Sequence, residues 1–189
     1  MHWRAGCMAM GLAACVLATS AWAREIIIDD VNSYARFQLR LPLGREMHGR
    51  FPRMQAEWQP QTDGRWRVLV SLPADAAEIP GSPRYTRIMR SEMFFDSHRH
   101  PQIQFLSDPF DAGMLARGGI LAGVLSMRGV VGRENLQLAP STCLPPVPHD
   151  CQIDAIGVVS RKRYGVRSLT GVVGDEVRFR LRTTHGSAP

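Results

Sequence analysis

The sequence predicts an all-β domain, an antiparallel barrel or sandwich with one short helix. Three observations predict this class. Apolar and polar residues alternate with period two along several segments, turn residues separate those segments, and helical periodicity is confined to one stretch. The segments follow one another without a linker, a repeat or a low-complexity tract, which indicates a single domain.

The first 23 residues have the features of an export signal. Arg4 is their only charged residue, an apolar run follows it, and Ala21-Trp22-Ala23 has the small residues that a signal peptidase requires. We therefore expect cleavage after Ala23, a periplasmic location and a folded domain over residues 24–189. The alternative is a lipoprotein anchored at Cys15, which the apolar residues that follow this cysteine disfavour.

Alternation predicts the strands and their inward faces. The expected strands cover residues 25–31, 36–41, 55–59, 66–72, 102–107, 119–128, 135–139, 152–160 and 177–182. Their apolar faces are predicted to line the interior: Phe37, Leu39, Val68, Val70, Ile103, Phe105, Leu125, Met127, Val158, Phe179 and Leu181. Alternation alone does not distinguish a filled interior from a hollow one.

The one helical pattern covers residues 83–95. Apolar residues recur there at helical spacing, and Pro83 stands where a helix can begin. The segment ends in Phe94 and Phe95. We expect one of these rings to pack into one mouth of a barrel and leave open whether the other lies there or in the core.

Charge and cysteines limit the classes of partner. The chain has a net charge of +6, or +5 without Arg4, and its arginines are spread along the strands. This distribution predicts a solvated exterior with at most weak contact with an anionic membrane surface, and no nucleic-acid partner. Cys143 and Cys151 flank a proline-rich loop, and we expect a disulfide between them after export. The alternative is a metal site made of these two cysteines and His149, but its spacing matches no standard zinc pattern.

Enzymatic and metal chemistry have little support elsewhere in the sequence. His98 and His100 flank Arg99 without a third ligand at a convincing spacing, which indicates a solvated loop. No serine lies in a Gly-x-Ser-x-Gly motif. We therefore expect no catalytic residue, no metal and no cofactor.

A series of motifs in constant order resembles the YceI-like family. Gly49-Arg50-Phe51 is followed by the segment 90–107, in which Arg90, Phe94, Phe95, Asp96, Pro101, Ile103, Phe105 and Ser107 fit the family pattern. The remaining matches are Gly123-Val124-Leu125-Ser126-Met127-Arg128-Gly129, Arg161-Lys162-Arg163-Tyr164-Gly165 and Gly174-Asp175-Glu176-Val177. Asn32, where a histidine is common, and the cysteine-flanked loop depart from the pattern.

The resemblance implies an elongated eight-stranded antiparallel lipocalin-like barrel. Its lumen would hold a long-chain isoprenoid, an isoprenoid quinone or a fatty-acyl lipid, and the protein would be a carrier or reservoir, not an enzyme. The inward residues above, with Phe94 and Phe95, would then be ligand-binding. The alternatives are a small lipid hydrolase or isomerase that uses the same cavity, and a structural envelope protein with a filled barrel. The oligomeric state is left open between a monomer and a homodimer.

Overall fold

The computed structural model describes residues 25–27, 34–144 and 152–184. Within this part of the chain, ten strands form one antiparallel sheet. In chain order they are β1 (Glu25–Ile27), β2 (Tyr34–Arg40), β3 (Glu46–Phe51), β4 (Arg53–Pro60), β5 (Trp66–Pro73), β6 (Gln102–Ser107), β7 (Gly119–Met127), β8 (Val130–Leu138), β9 (Gln152–Ser160) and β10 (Glu176–Thr184). The helices are α1 (Pro83–Arg90) and α2 (Gly113–Arg117). The all-β prediction is confirmed.

The sheet is curled, and a bent stretch of chain that contains β3 and β4 connects its two sides. The strand order is β1-β4-β5-β6-β7-β8-β9-β10-β2-β3, so β3 is at one end of the order and β4 is next to the other end, beside the short β1. Only Pro52 separates them along the chain. Since β3 pairs with β2 while β4 pairs with β5, the two ends of the sheet must meet at this proline.

The same bend explains why the predicted count of eight strands was too low. Proline cannot donate a ladder hydrogen bond, and Pro52 divides one bent stretch of chain into β3 and β4. The short β1 adds a further strand beside β4. β3 itself was missed because Gly49, an inward residue in its middle, lacks the apolar side chain that period-two alternation requires. This glycine is required because a Cβ there would overlap the Phe37 ring.

Most predicted faces are as the alternation indicated, with one error on β9. The limits of β6 and β9 agree with the prediction, and Phe105, Leu125 and Phe179 point inwards and are buried. Val158 is outward instead: it pairs with Arg178, and 45% of it is exposed. Its predicted place in the lumen was wrong.

The helix α1 is shorter than predicted and packs against the core through Ile88 and Met89. It starts at Pro83 and ends at Arg90, after which Ser91 is extended. The following turns still bring Phe94 and Phe95 to the interior, where Phe95 packs edge-on against Phe37 at 5.5 Å between ring centroids. Phe51 lies at the same distance from Phe95. The helix α2 was not predicted.

Several sequence expectations fall outside the described residues. The export signal, Asn32, His149 and Cys151 are among them. The described helices include none long and apolar enough to cross a membrane.

Candidate functional site

The described part of the barrel interior holds two adjoining apolar cavities of about 50 Å³ each. A single water needs about 10–15 Å³, so both are larger than an ordinary packing gap. The first cavity extends towards α2 and includes Leu115, Leu138 and Ile153 in its wall. The second includes Ile103 and Leu125. The interior is therefore partly hollow.

The two cavities share part of their wall. Val70, Phe105, Leu136 and Leu181 contribute to both. These residues come from β5, β6, β8 and β10, so strands from different parts of the curled sheet form the wall that the two cavities share. We call these four residues the shared zone. An extended chain that filled both cavities would pass this zone.

The predicted lumen residues fall into three groups. Seven line one or both cavities: Val68, Val70, Ile103, Phe105, Leu125, Phe179 and Leu181. Five are buried in the core but line neither cavity: Phe37, Leu39, Phe94, Phe95 and Met127. Val158 is on the exterior, as described above. The predicted set thus lies partly in the cavity walls and partly in the packed core around them.

The sequence analysis missed much of the lining. The additional residues are Met54, Ala56, Trp58, Leu72, Phe110, Leu115, Leu121, Glu134, Leu136, Leu138, Ile153, Ala155, Gly157, Val159 and Thr183. The alternation of Leu136 and Leu138 within a predicted strand was a usable signal. Small residues such as Ala155 and Gly157 carry no such signal, although they create the space that larger side chains leave open.

One wall position of the second cavity is acidic. Glu134 is inward on β8, and its side chain is only 11% exposed. Its Oε1 accepts hydrogen bonds from the Tyr164 hydroxyl and from Arg163 Nη1, both at 2.9 Å. Burial and the hydrogen bond to Glu134 raise the pKa of Tyr164 well above its ordinary value.

Two glycines give aromatic rings access to the interior. A Cβ at Gly123 would overlap the ring of Phe105, and a Cβ at Gly132 would overlap the Tyr164 hydroxyl. Both glycines are on the inward faces of β7 and β8. The Phe105 ring and the Tyr164 hydroxyl can therefore occupy their positions only because Gly123 and Gly132 have no side chain.

An arginine joins the turns after α1 to the sheet. Arg128, in the turn between β7 and β8, donates from Nη1 to the carbonyl oxygens of Glu92 and Phe94 at 2.7 and 2.6 Å. The two turns after α1 are thus attached to the β7–β8 hairpin. This attachment keeps Phe94 over the interior.

The polar residues of the family motifs make structural contacts. Arg161 is almost fully buried, and it donates to the carbonyl oxygens of Val166, Ser168, Val173 and Gly174. It therefore organises the loop between β9 and β10.

The motif residues near α1 have similar roles. Arg90 donates to the Ala77 carbonyl oxygen, and buried Asp96 pairs with Arg99. These contacts favour structural roles for Arg90, Asp96 and Arg161 over contact with a lipid headgroup.

The other candidates offer little chemistry within the described residues. The structure brings together no group of three or more His, Cys, Asp or Glu side chains that could hold a metal there. Ser107 Oγ accepts a hydrogen bond from the Val68 amide at 2.9 Å, which is a structural contact. Cys143 is buried, with its Sγ 3.3 Å from the Gln152 carbonyl oxygen. Its pairing with Cys151 stays a prediction.

A curled antiparallel sheet around an apolar interior defines the lipocalin-like class of fold. Residues 27–185 match the family described as the YceI-like domain. This chain belongs to that family. A comparison with curated proteins finds no match.

Solved structures share the fold at low sequence identity. BcnA of Burkholderia cenocepacia is similar with a TM-score of 0.63 and 16% identity, over 80% of this chain and 96% of that one. A polyisoprenoid binding domain from Saccharophagus degradans, implicated in plant cell wall breakdown, has a TM-score of 0.56 and 14% identity, over 79% and 92%. The YceI protein of Campylobacter jejuni has a TM-score of 0.52 and 11% identity, over 71% and 81%.

Proposed function

We propose that this protein is an exported carrier or reservoir that holds a long-chain isoprenoid, an isoprenoid quinone or a fatty-acyl lipid in its lumen, without turnover. The observation that carries the proposal is the pair of adjoining apolar cavities inside the curled sheet. The Saccharophagus domain with the same fold is described as polyisoprenoid binding, which supports the same ligand class here.

Energetics favour a long ligand. Each buried methylene contributes about 0.8 kcal/mol, so ten methylenes contribute roughly 8 kcal/mol before losses. Association entropy removes about 4 kcal/mol or more of this. A short apolar molecule would therefore bind weakly. The cavities are narrow, so a long chain must also displace wall side chains as it enters.

The first experiment is a titration with lipids of increasing chain length. Trp58 lines the first cavity, and its fluorescence should respond to a ligand there. We expect the affinity to rise with each added isoprene unit of a polyprenyl quinone until the lumen is full. An affinity independent of chain length would contradict the proposal, and release of free acid from a lipid ester would favour a hydrolase.

We also propose weak contact with an anionic membrane surface, which an arginine-rich outward face supports. Arg180 on β10 pairs directly with Arg36 on β2, and Arg178 and Arg40 lie on the same outward face. These four side chains have no acidic partner within the described residues, although Arg36 stacks on the Tyr34 ring. Each arginine near an anionic bilayer contributes about 1 kcal/mol.

Vesicle binding tests this part of the proposal. We expect binding to vesicles rich in anionic phospholipid that decreases with salt, and weaker binding by the double variant Arg36→Gln/Arg180→Gln. The matched control Arg84→Gln/Arg87→Gln removes the same charge from exposed positions on α1. Equal losses in both variants would indicate a response to net charge alone and would exclude the β2–β10 face as the contact.

A further inference from the structure

The sheet is incompletely paired between β8 and β9. The strands β7 to β10 have the same length, and β7 pairs with β8, and β9 with β10, along the whole of it. Within the described residues, β8 pairs with β9 only through Leu136–Leu138, which face residues 155–157. The two strands therefore separate before Leu136 on β8 and after Gly157 on β9. We call this separation the β8–β9 gap.

Side chains close the gap in place of a backbone ladder. Arg163 and Tyr164 lie in the turn that follows β9. The Tyr164 hydroxyl and Arg163 Nη1 each donate to Glu134 Oε1 at 2.9 Å, and Arg163 Nη1 also donates to the Arg133 carbonyl oxygen at 3.2 Å. Tyr164 is buried, whereas 56% of the Arg163 side chain is exposed. Opening the gap therefore breaks these side-chain hydrogen bonds, whereas opening β7–β8 or β9–β10 breaks a full ladder of backbone hydrogen bonds.

The second cavity lies directly behind this gap. Its wall includes Glu134 and Leu136 from β8, and Gly157 and Val159 from β9. These residues stand where the two strands separate. Displacement of the turn that carries Tyr164 would therefore connect this cavity with the exterior.

The outer rim of the gap is apolar and basic. Val158 is the first residue of β9 beyond the part paired with β8, and its side chain is outward and exposed. It lies beside Arg178 on β10, and the exposed Ile156 lies beside Arg180 in the same way. Such a surface suits an anionic bilayer, because the arginines attract the headgroups and the apolar groups leave water.

We infer that the lipid enters and leaves the lumen sideways through the β8–β9 gap, directly from an anionic bilayer that the rim of the gap contacts. This inference rests on the proposed function and adds to it the route of exchange and the surface that supplies the lipid. Tyr164 and Arg163 form the closure, which is displaced while the chain passes and then returns to Glu134. Because the closure makes the same contacts in the empty and the loaded protein, it sets the rates of uptake and release and leaves Kd unchanged.

A cross-link across the gap is the first test. Continuing the register beyond Leu136 and Gly157 places Asn135 opposite Val158, and both are exposed. In Asn135→Cys/Val158→Cys, a short bismaleimide can join the two strands. Transfer of a fluorescent fatty-acyl lipid to and from phosphatidylglycerol vesicles is followed by stopped-flow fluorescence before and after linking. We expect linking to slow uptake and release at least about tenfold, with Kd unchanged.

The control cross-link joins strands that are already paired. Ile120→Cys/Gln137→Cys places the two cysteines at directly paired, exposed positions of β7 and β8. Linking this pair should leave both rates unchanged. The wild type treated with the same reagent accounts for any reaction at its own cysteines.

A substitution assigns the closure to Tyr164. Tyr164→Phe removes the hydroxyl and keeps the ring, and we expect uptake and release both to become about tenfold faster, since the lost hydrogen bond has a carboxylate acceptor. Tyr85→Phe removes a hydroxyl from an exposed tyrosine of α1 and should have no effect. The cross-linking test does not use the Tyr164 variant, so it stands even if that substitution disturbs folding.

The outcomes separate this inference from the proposed function. If linking across the gap slows exchange no more than the control cross-link does, lateral entry is wrong, and the lipid enters through an end of the barrel while lipid binding stands. Unchanged rates in a folded Tyr164→Phe variant would exclude Tyr164 as the closure. If the wild type takes up neither the fatty-acyl lipid nor the polyprenyl quinones, the proposed function fails as well.

Discussion

Replacement of Val70 by phenylalanine tests whether the interior is hollow and whether the ligand occupies it. Val70 is on β5, pairs with Phe105, and lies in the zone that both cavities share. The change adds about four carbon atoms to the wall without introducing a polar group. Val131→Phe makes the same change on the outward face of β8, where Val131 is exposed, and is the matched control.

The two effects of Val70→Phe should have opposite signs. Filling a cavity of about 50 Å³ at about 24 cal/mol per Å³ gives at most about 1 kcal/mol of added stability. A ring that displaces about three methylenes of the ligand removes roughly 2.4 kcal/mol of binding free energy, or about 60-fold in Kd. A ring that blocks passage between the cavities would remove more.

The assay combines thermal unfolding of the ligand-free protein with the polyprenyl quinone titration. We expect Val70→Phe to unfold at or above the wild-type temperature and to bind at least about 60-fold more weakly. Val131→Phe should bind as the wild type does. A loss of 1–3 kcal/mol in stability would mean that the interior is already filled. Unchanged affinity in a stable variant would show that the ligand does not occupy the lumen.

Three further predictions concern the scaffold. Gly49→Ala should lower stability by about 1–3 kcal/mol, because the new Cβ would overlap the Phe37 ring. In a double-mutant cycle measured by thermal unfolding, Phe37→Leu in the same chain should recover part of this loss. Simple additivity of the two effects would contradict the contact. Alkylation without reductant should leave Cys143 and Cys151 of the exported protein unlabelled, as measured by mass spectrometry, because the two form a disulfide. Loss of this disulfide should lower stability by about 2.5 kcal/mol. Labelling of both thiols would exclude the bond. Burial and its acidic partner raise the pKa of Tyr164 in the folded state, so its contribution to stability is present below the unfolded pKa of about 10 and is lost as the pH rises further. Tyr164→Phe should therefore lessen the decrease in unfolding temperature at alkaline pH. An unchanged pH profile would contradict the shift.

Period-two alternation was sufficient for the strands whose two faces differ in polarity. On β10, Phe179 and Leu181 alternate with arginines, and both line the lumen as predicted. On β9 the signal fails because Ile156 and Val158 are apolar on the outward face, while Gly157 faces inward. A strand that is apolar on both faces has no period-two signal, and only the pairing with β10 settles its orientation.

The candidate site was less accessible to sequence reasoning than the fold. Glu134 is surrounded in the sequence by Arg133 and Asn135, which are exposed, so its burial depends on contacts distant in sequence. Its partners Arg163 and Tyr164 are about thirty residues away and reach it from the turn that follows β9. Local patterns carry no information on such pairs. Cavities are equally difficult to predict from the sequence, because their positions depend on where side chains leave space in the folded protein.

The central claim is that the lumen holds a lipid in the living cell. Native mass spectrometry of the protein purified from its own cell envelope, without added lipid, tests it most directly. We predict a mass excess of one long-chain lipid that collisional activation releases, and its absence in Val70→Phe purified in the same way. A wild-type protein that carries no lipid, together with no response to added polyprenyl quinones, would contradict the claim.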